Sequence, residues 1–159
     1  MVTNATLKDK FDEKASAIES TVSGISDEKA SRRPAEGEWS VRDVLCHLSG
    51  DAQHTFRDDL NRFLEEDTPE LGVAPGELYW TPGREGASVQ ELARSVAAQY
   101  REIGAFVGGL TEEQLARPAR IAFLEQVRGS DEIKLSEWIS LIAEYHLSQH
   151  ISQLQALAK

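Results

Sequence analysis

A chain of 159 residues, 40% hydrophobic and 28% charged, is long enough to bury one sizeable core without staples and reads as a single domain over residues 1–159. Its 27 acidic against 17 basic residues leave a net charge of −10, which repels phosphate backbones and anionic bilayers and argues against nucleic acid or membrane as partners. The lone Cys46 excludes an internal disulfide; with no apolar leader in residues 1–25 and no run of roughly 18 apolar residues, the expected setting is the cytoplasm.

The first amphipathic helix is predicted from Leu7, Phe11, Ala15, Ile18, Val22 and Ile25, which step by three and four. The second starts at Ser40, an N-cap with Asp43 three residues on, and carries Val41, Leu45, Leu48, Ala52, Phe56, Leu60 and Phe63 on one stripe. Residues 66–86 hold three Pro and four Gly and read as a long crossover loop, from which Tyr79 and Trp80 are placed to fold back over one end. "SVQE" at 88–91 is a capping box that opens the third helix, with Val89, Leu92, Val96, Ile103 and Leu110 on its apolar face. Extended structure is expected at most over residues 119–128. The fourth helix runs from about Leu135 to Leu157 through Trp138, Ile142, Tyr145 and Leu154. None of the four can bury its stripe alone, so the expected fold is an all-α four-helix bundle.

The chain weakly repeats itself. "ISDEKASRRP" and "LTEEQLARP" both read as short capped helices stopped by proline. After the first comes "WSVRDVLCHLS", after the second "WISLIAEYHLS", so Trp39 stands eight residues before His47 and Trp138 eight before His146.

"EYHLSQH" then sets His146 and His150 four apart, one above the other on a helix face bordering the core. Such a pair supplies two metal ligands, and a catalytic ion needs a third with one position left for water. His47 is available early in helix two if that helix packs antiparallel to the fourth. It lies off the centre of its stripe, on a side shared with Val44, Asp51, His54 and Asp58. Asp51, one turn on, is a candidate acceptor for its second ring nitrogen. The plainer reading is two packed neutral histidines bonded to Gln149, Gln153 or backbone. Trp39 and Trp138 are expected as wedges between helices and Cys46 as a small buried thiol, with Glu144 pointing away from the pair.

"GEWSVRDVLCHLSGDAQH" followed by "EYHLSQHISQL" resembles the DinB/YfiT-like superfamily, and the likeness extends over nearly the whole chain. The resemblance implies a four-helix bundle of unusual connectivity with a divalent metal, zinc or nickel, held at one end by His47, His146 and His150. Gln153 would support the pair, while Asp51 and His54 match no ligand position. Relatives include S-transferases that use low-molecular-weight thiols such as bacillithiol or mycothiol, and proteins described as metal-dependent hydrolases. A metal-held thiolate needs less proton traffic than hydrolysis, and no residue declares itself as a general base. The expectation is therefore a thiol-dependent S-transferase acting on a small molecule, with hydrolase and non-catalytic stress-linked binding protein as alternatives. Homodimerisation through apolar helix edges is a further expectation.

Overall fold

The computed structural model describes residues 3–159. Helix α1 (Asn4–Val22) is started by Thr3, whose hydroxyl accepts from the Thr6 amide, and it buries Leu7, Phe11, Ala15, Ile18 and Val22. The two connectors predicted to hold short capped helices do so: α2 (Asp27–Ala30) is capped by Ser26, and α7 (Glu112–Leu115) by a Thr111–Gln114 capping box. Ser88 and Glu91 form the expected box at the start of α6 (Val89–Gly108).

The second predicted helix is two. The chain leaves α3 (Val41–Ser49) at Gly50, where φ is +71°, and restarts as α4 (Phe56–Glu65) from a Thr55–Asp58 capping box. The left-handed φ suits glycine, and the Asp51 carboxylate accepts from the Gln53 amide at 2.8 Å, fixing the turn between them. Ala52 is accordingly exposed instead of continuing the stripe. Of residues 119–128, expected to be extended at most, only 119 and 120 are so. They lie in β1 (Pro118–Arg120), which pairs antiparallel with β2 (Glu132–Lys134), and α8 (Phe123–Arg128) lies between.

The fourth helix spans its predicted length as α9 (Leu135–Ser140), a π-helical segment (Leu141–His146) and α10 (Leu147–Leu157). A π turn takes in an extra residue, so the buried stripe rotates around the helix as it passes. Leu135, Trp138 and Ile139 are buried before it; Ala143, Leu147, His150, Ile151 and Leu154 are buried within and after it. Tyr145, predicted on the stripe, is 69% exposed.

Around the bundle α1 packs on α6 and α10, and α3 packs on the same two helices. The first two helices of the bundle proper, α1 and α3, therefore face each other across the diagonal. This arrangement explains the two proline-stopped connectors, which join helices on opposite corners and must cross an end of the bundle. It also sets α3 beside α10.

The 66–86 loop is tied down along its length. Trp80 Nε1 donates to Asp43 Oδ1 at 3.1 Å, and Arg84 Nη1 donates to the carbonyls of Gly50 at 2.7 Å and Tyr79 at 2.6 Å. Asp43 is 2% exposed and also accepts from Arg33 Nε at 2.8 Å and from the Ser40 amide and hydroxyl at 2.9 Å each. Burial alone would raise its pKa; the Arg33, Ser40 and Trp80 bonds outweigh it and hold the carboxyl near 2, against an ordinary 3.8. Asp43→Asn removes the charge that Arg33, Ser40 and Trp80 all donate to and is expected to cost about 2–4 kcal/mol. Because the folded pKa is depressed, this stabilisation is complete above pH 3.8 and fades as pH falls toward 2. Thermal melts across that acid window should therefore drop more steeply for the parent than for Asp43→Asn.

Candidate metal centre

The rotation of the buried stripe decides where the late histidines point. His150 is 9% exposed and His146 sits at the last position of the π segment; their rings meet edge to face with centroids 4.7 Å apart. His47, in the last turn of α3, brings its ring to 5.2 Å from that of His146 and 4.6 Å from that of His150. One nitrogen from each ring lies within 4.8 Å of the other two. His47 thus faces inward, and Val44 beside it is fully buried, so α3 serves two interfaces with one broad apolar face.

Hydrogen bonds set the tautomers of two rings. His47 Nδ1–H donates to the Glu77 carbonyl at 2.5 Å, and His150 Nδ1–H donates to Gln153 Oε1 at 2.9 Å. Both Nε2 atoms are left with a free lone pair. His146 Nε2 lies 3.0 Å from His47 Nε2, while its buried Nδ1 has no partner among the described residues. Burial first, and then the neighbouring His150 and His47, push the His146 pKa down to about 3; burial likewise lowers that of His150. Much of a ligand set is present: two rings with oriented outer nitrogens, two imidazoles that burial favours in the neutral form, and ring nitrogens of all three converging on one point. The residues fit a divalent ion of the imidazole-seeking kind.

The expected acceptor Asp51 is not the one found. It is exposed and engaged with Gln53, and a backbone carbonyl from the crossover loop takes its place at His47. Gln153 does what its position suggested. Glu144 turns outward to an ion pair with Lys10. Cys46 is buried and its thiol is pushed up to about 11, mainly by burial, so it is a core side chain and no nucleophile. Trp39 is more than a wedge: its ring lies nearly parallel to that of His150 at 6.0 Å and 5.0 Å from that of His47.

The three histidines open onto one cavity of about 490 Å³. Its walls are largely aromatic, with Trp39, Phe56, Tyr79, Phe123, Trp138 and Tyr145 among them, and residues 72–76 of the loop close one side. That is the size and character of a small-molecule site. His54 also lines it, away from the triad and bonded to Asp59.

A family model described as the DinB superfamily matches residues 10–154. The chain belongs to the DinB superfamily. Among known proteins, it is 26% identical over 148 residues to the "Uncharacterized protein YuaE" of Bacillus subtilis (strain 168), covering 84% of this chain and 86% of that one. It is 24% identical over 135 residues to the "Putative metal-dependent hydrolase OB0413" of Oceanobacillus iheyensis, covering 85% and 73% of the two chains. Among solved structures, YfiT from Bacillus subtilis superposes with a TM-score of 0.68 over 99% of this DinB chain and 89% of its own, at 19% identity. YfiT is described as "a probable metal-dependent hydrolase with an unusual four-helix bundle topology", and the likeness establishes a shared fold. The diagonal placement of α1 and α3 is this DinB chain's own version of unusual connectivity.

Proposed function

We propose that this DinB protein is a metal-dependent hydrolase that holds zinc or nickel through Nε2 of His47, His146 and His150 and acts on a small, largely apolar ester or amide. The observation that carries the reading is the convergence of three imidazoles, two with their outer nitrogens already committed, on the wall of a cavity rich in aromatic side chains. A divalent ion bound there would supply Lewis acidity, lowering the pKa of water toward about 7 and polarising an acyl oxygen. The protein's own part is positional. Glu77 and Gln153 fix the two rings, Trp39 packs over His150 and limits its rotation, and the aromatic walls exclude bulk water and hold the substrate's apolar body.

The names borne by the relative from Oceanobacillus iheyensis and by YfiT support hydrolysis over transfer. Transfer to a low-molecular-weight thiol is the second reading, and the cavity volume favours it: about 490 Å³ has room for a thiol and an electrophile together. With Cys46 sealed in the core, the thiol would have to come from outside as a co-substrate. Elemental analysis of the purified protein and turnover assays decide between the two. Metal-loaded protein should hydrolyse members of an ester and amide panel without added thiol, and a chelator should abolish the turnover. Activity that appears only with added thiol would replace hydrolysis by transfer; metal-free protein with unchanged melting in zinc would remove both.

A further inference from the structure

Beyond Gly50 the cavity holds a second pair of titratable side chains that the metal centre does not use. His54 Nε2 lies 2.7 Å from Asp59 Oδ1, with the two side chains 48% and 14% exposed, and both residues line the same cavity as the histidine triad. Helix capping does not account for the pair, since Thr55 and Asp58 already supply both halves of the capping box of α4. Nor is His54 packed in the core. With Nε2–H committed to Asp59, its Nδ1 carries the lone pair and has no protein partner among the described residues.

We propose that His54, positioned by Asp59, is the proton-transfer group of the hydrolytic reaction, an inference that rests on the hydrolase reading. His54 Nδ1 accepts a proton from a water molecule as the water oxygen bonds to the acyl carbon. It then gives that proton to the leaving oxygen or nitrogen as the bond from that atom to carbon breaks, so the ring ends as it began. The Asp59 carboxylate stabilises the intermediate imidazolium and holds the tautomer, without itself taking the proton.

The surroundings favour the role. The Asp59 hydrogen bond first, with the charges of Asp59 and Asp58, raises the His54 pKa above 6.5; burial and Arg62 pull it back. Burial raises that of Asp59. The same cavity is also lined by Asp51, Tyr79, Tyr145 and the three histidines of the triad. Because the basic form is the working one, kcat should rise with pH through the His54 titration.

The test uses the metal-loaded full chain and an ester that the parent hydrolyses. His54→Ala and His54→Gln should lower kcat by about 100-fold with KM little changed, flatten the rising limb of the pH profile, and respond to added imidazole. Their metal content should equal the parent's. Asp59→Asn should move that limb to lower pH, and an NMR titration of the His54 ring should follow it independently of turnover. The proposal is overturned if both His54 variants keep kcat within about threefold of the parent with the limb intact, while His146→Ala is inactive. If the metal-loaded parent hydrolyses nothing, the hydrolase reading itself has failed, and the role of His54 falls with it.

Discussion

His146→Ala is expected to keep its fold, take up no stoichiometric zinc or nickel, and lose at least about 100- to 1000-fold in kcat/KM. Two imidazoles on different helices, His47 and His150, cannot replace three: the pair that remains lacks the rigid spacing of one helix turn. The fold should survive because His146 contributes a cost as well as packing. Its Nδ1 is buried without a partner among the described residues, so removing the ring also removes an unsatisfied group worth about 1–3 kcal/mol. The two consequences separate cleanly in a thermal melt. Zinc at about 100 times its dissociation constant should stabilise the parent by about 2.7 kcal/mol, a rise of roughly 5–10 °C, and leave His146→Ala unmoved. A variant that still bound metal with parental affinity would place the centre elsewhere and dissolve the account of the cavity with it.

The helical spacings carried most of this site and left out its surroundings. His-x-x-x-His marks two ligands because a helix turn is a fixed length, and the Trp-to-His interval repeated at Trp39 and Trp138 pointed to the third. Periodicity tells which face of a helix is buried, but not which helix covers it. So the diagonal placement of α1 and α3 was out of reach, although it is what brings His47 to the late pair. The π turn was equally hidden. No residue type in "LIAEYH" demands it, and it arises where the stripe must shift from Trp138 and Ile139 to Leu147 and Ile151. The break in helix two was readable and passed over: Thr55-x-x-Asp58 is a capping box, and apolar residues continuing in step on both sides masked it. Glu77 acts through its carbonyl oxygen, so its side chain gives no signal. Asp59 is recognisable only once Gly50 and Thr55 have turned His54 toward it.

Phe11→Ala is expected to destabilise the protein by about 3–5 kcal/mol, lowering the midpoint of urea unfolding without changing its slope. Phe11 is fully buried and stacks nearly parallel on Tyr100, with ring centroids 6.1 Å apart. Tyr100 in turn donates to the Leu48 carbonyl at 3.1 Å, so the void would open where α1, α6 and α3 meet. Cores relieve such a void by collapse, and here collapse is blocked. Gly104 already lets α1 approach α6 so closely that a Cβ at that position would lie 3.0 Å from the Phe11 Cβ and 3.3 Å from the Lys8 carbonyl oxygen. Backbone and Cβ are therefore in contact before the ring is removed, and the helices have no distance left to close. A loss under about 1 kcal/mol would show that the α1–α6 seam rearranges instead. Metal binding should be spared in the same variant, because the three proposed ligands stand on α3, the π segment and α10, whereas the Phe11 ring stacks on Tyr100 of α6. A fold that loses stability while keeping its metal would separate the seam that holds the bundle together from the rim that does its chemistry.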